Sequence, residues 1–285
     1  MAETSATPGM LYVVATPIGN RAELSPRAHQ ILATVDLIAA EDTRHSGILL
    51  RTLDIHTPQI SLHEHNETRR VDSLIARLVA GESIALISDA GTPGISDPGF
   101  ELVRAARRSG IKVGPVSGPC AAIAALSVAG LPTNRFVFEG FLPDKAPARR
   151  RRLAELVEET RTLIVFEAGR RLAPMLTDCR TVLGEGRSVT IARELTKRFE
   201  ESVQTDLAKS EDWLAADANR SRGEFVICIA GADTPASQRF SVELDTLLTE
   251  LLAIAGTRQA AQIASRTLGI SRNSAYQRAL RLAQG

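Results

Sequence analysis

The chain has 285 residues, 44% of them hydrophobic and 24% charged, with Lys and Arg exceeding Asp and Glu by one. That is enough for two compact lobes and a small appendage with a sizeable core, while an aromatic content of 4% argues against a large base-stacking platform. Nowhere do about eighteen apolar residues run together, which excludes a membrane-spanning helix of the usual length.

Residues 1–9 are small and polar and are predicted to be disordered. No signal-like segment precedes the first apolar run, Leu11–Ala15, so a cytoplasmic location is expected. That run reads as a buried strand, and Ser25-Pro26 as a capped helix start with Ala28, Ile31, Leu32 and Val35 on one face. Strands follow at Asp36–Ala40, Gln59–Leu62, Ile84–Ile87 and Lys112–Val116, with helices at Thr68–Val79, Phe100–Arg108 and Pro119–Ala129. The turn Gly130–Thr133 closes a first α/β lobe, residues 10–131. Strands at Phe136–Glu139, Thr162–Phe166, Val189–Arg193 and Phe225–Ala230, with helices between, make a second α/β lobe over 132–232.

Beyond Gly231–Pro235 the pattern becomes helical: Val242–Ile254, Arg258–Leu268, a turn at Gly269–Ser271, and a helix to Leu282. Helix, short glycine turn and Ser-capped helix make helix-turn-helix grammar over 240–285, although any three-helix bundle shares it. From Leu251 onward there are five arginines and no acidic residue, leaving 29 basic and 33 acidic side chains in the first 250 positions. A basic tail on an acidic body is suited to a polyanion, with Arg272 and Arg281 on the helix that would dock; the alternative is a solvated helix face.

Cys120, Cys179 and Cys228 are too widely spaced for a C-x-x-C pair or a metal set, and Cys228, inside an apolar run, reads as a reduced core thiol. The densest chemical signal is Ser88–Gly99, with three glycines, two prolines and two aspartates directly after a buried strand. A stretch so irregular lets backbone approach a ligand where ligands bind α/β sheets, at the carboxyl ends of strands. The next loop, Gly114–Ala122, opens a helix that Ser117 can cap, with Pro119 in its first turn and exposed amides that favour an anionic group. The two loops form a pocket for something flat and polar, such as a nucleotide-like cofactor. Neither G-x-G-x-x-G nor G-x-x-x-x-G-K-[ST] occurs, which weighs against dehydrogenases of the ordinary dinucleotide type, P-loop enzymes and glycine-motif methyltransferases.

Further segments make the pattern specific: Leu11–Asn20, Ala40–Arg44, Ser61–Asn66, Ser117–Cys120, Phe138–Pro143, Phe166–Ala168, Ala192–Lys197 and Gly223-Glu224. With Ser88–Gly99 they resemble the tetrapyrrole-methylase superfamily, and within it the ribosomal RNA small subunit methyltransferase I family, from about Met10 to Gly231. The tail resembles that family's helix-turn-helix extension. The resemblance implies a two-lobed α/β homodimer with S-adenosylmethionine between the lobes, methylating the ribose 2′-oxygen of a cytidine in the decoding region of 16S rRNA. Tetrapyrrole methylases carry G-x-G-P-G after the first strand; this chain has Thr16–Asn20 (TPIGN), a departure that counts against a porphyrinoid substrate. The resemblance assigns Pro17, Asp89, Gly91, Gly94, Ser117, Cys120, Ala121, Glu167, Ala168 and Ala192 to the cofactor.

A ribose hydroxyl is a weak nucleophile, so a base is expected; the candidates are Glu41 and Asp42, just after a strand, and His63 and His65. Three of the five histidines, His56, His63 and His65, fall within ten residues, but they spell out no complete metal ligand set, and no metal is expected. His63 and His65 lie two apart in a strand-like segment and would share a face; a structural role is open for each. Arg44, Arg193 and Lys197 suit phosphate or substrate, or an ion pair with a neighbour such as Glu194. Lys145, Arg149, Arg150, Arg151 and Arg152 place five cations in eight residues, suited to an RNA backbone, or to a solvated helix start. Two other functions remain open: a methyltransferase for a tetrapyrrole-type metabolite, and a non-enzymatic RNA-binding assembly factor.

Overall fold

The computed structural model describes residues 9–232, 235–268 and 270–284. Of the disorder predicted for residues 1–9, the first eight lie outside them, as does Gly269 of the expected turn, whereas Gly9 is buried and its amide donates to Leu78 O at 2.8 Å. Residues up to 156 together with 161–230 form one compact unit, and 157–160 with 231–285 form a second.

The first sheet is built from β1 (Met10–Val14), β2 (Leu37–Ala40), β3 (Gln59–Ser61), β4 (Ile84–Ile87) and β5 (Lys112–Val116). All pair in parallel in the order β3-β2-β4-β1-β5, with Tyr12 opposite Ala85 on one side and Gly114 on the other. Parallel strands covered on both faces need unbroken apolar runs, and every residue of β2 and β4 is buried. Helices α1 (Pro26–Thr34) and α2 (Thr43–Thr52) cover one face, α3 (Glu67–Val79) and α4 (Phe100–Arg108) the other. Ser25 caps α1, its hydroxyl accepting from the Ala28 amide at 3.0 Å, with Pro26 at the first position. Helix α2 was not expected from the sequence; Asp42 caps it by accepting from the Arg44 amide at 2.8 Å. Because β1 lies between β4 and β5, the loops leaving these three strands emerge side by side.

In the second sheet β6 (Phe136–Phe141), β7 (Thr162–Ala168), β8 (Ser188–Arg193), β9 (Glu201–Asp206) and β10 (Glu224–Ile229) run in the order β6-β7-β10-β8-β9. Only β6 and β7 are parallel. Strand β9 is a second element that the sequence did not announce. Lying at an edge with one face exposed, it carries Ser202, Gln204 and Asp206 and has no apolar run. Helices α6 (Ala146–Glu155), α7 (Gly169–Leu183) and α8 (Leu207–Ala215) complete this half. Cys228 is fully buried, as its setting predicted, and desolvation pushes its thiol up to about 12.

The two halves are not separate bodies. Helix α5 (Ala121–Val128), reached from the first sheet, packs on the second: Ala122, Ala125 and Leu126 meet Ile164, Ala192, Val226 and Cys228. Sheet hydroxyls cap its far end, Thr190 Oγ1 donating to Ala129 O at 2.6 Å and Thr162 Oγ1 to Pro132 O at 2.7 Å. The first satisfies a carbonyl that the helix end leaves without an intrahelical partner, and the second ties down the turn that follows.

The C-terminal unit has helices α9 (Pro235–Leu252), α10 (Thr257–Leu268) and α11 (Arg272–Gln284). Its core is small, with Leu248 among Ala260, Ala261, Ala264, Ala275 and Ala279. Ser271 caps α11 by accepting from the Ser274 amide at 3.1 Å. Arg278 makes a two-pronged bond to Asp245 at 2.6 and 2.5 Å, so one of the five tail arginines is neutralised within the bundle. Among the described residues no helix is long and apolar enough to cross a membrane.

One buried carboxylate sets where the long loop after β4 ends. Glu67, at the start of α3, accepts from the amides of Gly99 and Leu102 at 3.1 Å each, capping α4 from outside. Gly99 holds φ 122°, and a Cβ there would meet Leu86 Cδ2 at 2.6 Å. Gly99→Ala is therefore expected to destabilise the fold by about 1–3 kcal/mol, through strain and overpacking. Urea unfolding of the two proteins checks it.

Candidate active site

Three loops from the first sheet and the strand ends of the second enclose a cavity of about 300 Å³. The loops are knitted by main chain. Thr16 and Gly91 exchange amide-to-carbonyl bonds at 2.8 and 3.1 Å, and Thr92 Oγ1 donates to Pro119 O at 3.0 Å. The second half closes on them: the Asn20 amide donates to Thr196 Oγ1 at 3.1 Å. At a bulge in β6, Gly140 takes φ 63°, and a Cβ there would lie 2.7 Å from Ser96 Oγ. Ser96, Glu194 and Thr196 also adopt positive φ, at 63°, 48° and 64°, although none is glycine. Backbone strain of this kind concentrates where a site must be held in shape.

The wall is apolar on one side, through Ile18, Phe141, Phe166, Leu195 and Val226. At the other, Cys120 and Ala121 bring in the start of α5. No side chain caps that helix, since Ser117 is exposed and makes no capping bond, contrary to expectation. Its first amides are left for a ligand.

A cluster of carboxylates stands at the carboxyl edge of the first sheet. Glu41 accepts from the Asp89 amide at 3.2 Å, and Asp89 from the Asp42 amide at 3.2 Å. Burial raises Glu41 above the ordinary carboxylate range. Asp42 is held well below that range by Arg44, which grips both its oxygens at 3.0 and 2.6 Å. Asp97, on the cavity wall, is pushed up to about 6 by burial and by Glu41 and Asp89, against the opposing pull of the Ser88 hydroxyl.

Of the residues assigned to a cofactor, Gly91, Cys120, Ala121, Glu167, Ala168 and Ala192 line the cavity, whereas Pro17, Asp89, Gly94 and Ser117 do not. Strand alternation carries the Glu167 carboxylate to the other face of β7, where Arg171 Nε lies 3.0 Å away. His63 and His65 sit in the turn after β3 and not in a strand, with ring centroids 6.1 Å apart. Asn66 Nδ2 donates to His63 Nε2 at 3.0 Å, Nδ1 is enclosed, and neither histidine reaches the cavity wall.

The cations divide sharply. Arg149 is buried against Asp178 at 2.6 Å, and Arg193 is buried while donating to the carbonyls of Arg222, Phe199 and Asn219. Both are structural, which corrects the expectation that they meet RNA. Arg152 is bound to Glu139 and Glu155, and Lys197, on the cavity wall, to Glu194 and Glu224. Arg44, Lys145, Arg150, Arg151, Arg272 and Arg281 are exposed, Arg44 while paired with Asp42 and Arg150 while bound to Asp178 at 2.5 Å. The sequence reading passed over Asp97 and the aromatic wall of Phe141 and Phe166. Asp97 belonged to the loop already singled out, but only its place on the cavity wall distinguishes it from Asp89, which accepts from the Asp42 amide.

The shift at Asp97 fixes a sign. Its folded value exceeds the ordinary 3.8, so folding takes up a proton between about pH 4 and pH 6, and stability falls as pH rises through that window. Asp97→Asn is expected to melt higher than the parent at pH 8, with the gap closing near pH 4. Calorimetric Tm values across that range test it; a gap independent of pH would contradict it.

Residues 10–211 match the family model for Tetrapyrrole (Corrin/Porphyrin) Methylases, and residues 239–283 the model for the RsmI C-terminal HTH domain. The chain is 51% identical over 273 residues to "Ribosomal RNA small subunit methyltransferase I" of Pseudomonas aeruginosa, covering 95% of this chain and 97% of that one. It is 46% identical to the protein of the same name in Escherichia coli O157:H7, over 95% of each. In fold it is similar to the cobalamin biosynthetic enzyme cobalt precorrin-4 methyltransferase, with TM-score 0.57 and 17% identity over 78% of this chain and 94% of that one. It is also similar to a Thermus thermophilus uroporphyrin-III C-methyltransferase complexed with S-adenosylhomocysteine, with TM-score 0.53 and 16% identity over 78% of this chain and 97% of that one. The chain therefore belongs to the tetrapyrrole methylase superfamily and, within it, to the ribosomal RNA small subunit methyltransferase I family.

Proposed function

We propose that the chain is an S-adenosylmethionine-dependent methyltransferase of the small ribosomal subunit's 16S rRNA, acting on the 2′-hydroxyl of a cytidine ribose in the decoding region. The observation that carries the reading is the coupling, in one chain, of the strained cavity at the strand ends to an arginine-bearing helical unit matching the RsmI C-terminal domain. Relatives half identical over nearly the whole length bear a name that specifies the ribosomal substrate.

The cavity fits the cofactor on its own chemistry. Main chain around Gly91, Thr92, Cys120 and Ala121 offers polar groups without bulk, and the uncapped amides of α5 suit a carboxylate. Ile18, Phe166 and Val226 offer an apolar wall for a flat base, with Ala168 and Ala192 leaving room beside it. S-adenosylmethionine supplies an electrophilic methyl group when bound there. The chain's part is to hold acceptor and donor in line and to keep water out, and alignment of this kind accounts for much of the rate in a displacement.

Exposed Arg44, Lys145, Arg150 and Arg151 supply phosphate contacts from the first unit, and Arg272 and Arg281 from the second. A cytoplasmic homodimer is the working form we propose, in keeping with the resemblance and with a ribosomal substrate.

Labelled-methyl transfer should be tested on small ribosomal subunits, naked 16S rRNA and uroporphyrinogen. Label is expected in RNA, at a ribose that then resists alkaline cleavage; label in the porphyrinogen alone would overturn the reading. The double change R272E/R281E should weaken RNA binding and lower the salt slope by about two, leaving S-adenosylhomocysteine affinity intact. Unaltered RNA affinity would remove the helical unit's role.

A further inference from the structure

We infer that Asp97 is the proton acceptor for the substrate hydroxyl, an assignment that rests on the methyl-transfer reading above. Glu194 and Glu224 on the cavity wall are both occupied by Lys197 Nζ, at 2.9 and 2.7 Å. Glu167 is fully buried, its Oε1 held by the Ala168 amide at 2.8 Å and facing Arg171 Nε at 3.0 Å. Asp42 is clamped by Arg44, Glu41 and Asp89 do not line the cavity and each has one oxygen taken by a backbone amide, and the Asn66 amide holds His63 Nε2. Two ionisable side chains remain on the wall, Asp97 and Cys120. A carboxylate suits an alcohol proton, whereas a thiolate would itself compete for the methyl group.

Asp97 is also held in place from both sides. Ser96 before it packs on Gly140 in a left-handed conformation, and Gly99 after it is anchored through its amide to Glu67. A group on an irregular loop thereby gains the fixed placement that catalysis needs. The charged groups facing it are the Glu41 and Asp89 carboxylates at the ends of β2 and β4, with Arg44 and His45 of α2 beyond them. Their charge and its burial place its carboxyl at about 6, a stronger base than an ordinary aspartate and still ionised near neutral pH.

The step balances. The hydroxyl proton passes to an Asp97 oxygen as the ribose oxygen bonds the methyl carbon. The carbon–sulfur bond breaks with its electron pair remaining on sulfur. One cation and one carboxylate are consumed, and a neutral thioether, an ether and a carboxylic acid are left.

The test uses the full chain with small ribosomal subunits or 16S rRNA. In Asp97→Asn, kcat is expected to fall about 10²- to 10⁴-fold, while the Kd for S-adenosylhomocysteine by calorimetry stays within about threefold. Asp97→Glu should recover part of the rate. For the parent, log kcat should rise with pH up to about 6 and then level, and that limb should be absent from the residual activity of Asp97→Asn. Carboxyl ¹³C NMR of the parent protein should show Asp97 titrating near the same pH. Loss of S-adenosylhomocysteine binding with kcat preserved would make Asp97 a cofactor ligand and overturn the assignment. A rate within threefold of the parent, with the acid limb intact, would overturn it too. No transfer to RNA by the parent chain would sink the methyl-transfer reading itself, and the assignment with it.

Discussion

Helix α5 leaves the first sheet and buries Ala122, Ala125 and Leu126 on the second. Almost everything about the site follows from that contact. It works because the helix turns its small residues Ala122 and Ala125, with Leu126, onto the sheet, and because Thr190 satisfies the Ala129 carbonyl at its end while Thr162 holds the turn at Pro132. The same docking fixes the free N-terminus of α5, with Cys120 and Ala121, against Ala192 and Val226 of the second sheet. The cavity exists because two sheets share one helix. A change that loosened α5 would degrade stability and ligand binding together.

Electrostatics in the site divide compensated pairs from carboxylates that burial raises, Asp97 to about 6. Lys197 with Glu194 and Glu224, and Asp42 with Arg44, are compensated pairs, as Arg149 with Asp178 is away from the cavity, whereas Glu41, Glu167 and Asp97 are raised by burial. Burying ions in pairs is tolerable, whereas a buried carboxylate among other carboxylates is costly. Asp97 carries that cost, in a loop whose neighbours adopt strained backbone. A fold that keeps such a group gives up stability where it gains reactivity.

The distribution of cations narrows the RNA-facing surface. The run from Lys145 to Arg152 looks uniform as text, but one side of α6 faces the core of its own half. Arg149 is consumed there, Arg150 shares its Asp178 while keeping an exposed side chain, Arg152 is tied to Glu139 and Glu155, and Lys145 and Arg151 face outward. The helical unit shows the same economy, with Arg278 spent on Asp245 and Arg272 and Arg281 exposed.

The sequence alone determined the alternation of strands and helices, because buried parallel strands such as Ile84–Ile87 require unbroken apolar runs and capped helices announce themselves, as Ser25-Pro26 does. It also located the loop Ser88–Gly99, whose glycines and prolines no regular element tolerates, and the family, whose motifs are local strings. It was blind to β9 and α2, since an edge strand needs no apolar face and a short helix over a polar first turn has little periodicity. It placed α5 in the first lobe, although packing gives that helix to the second sheet. Only the tertiary structure decided which charges are used up and which are left to act. Ion pairs such as Arg149 with Asp178 join residues 29 positions apart, and the cavity that takes in Asp97 but not Asp89 is made by distant parts of the chain meeting over one loop.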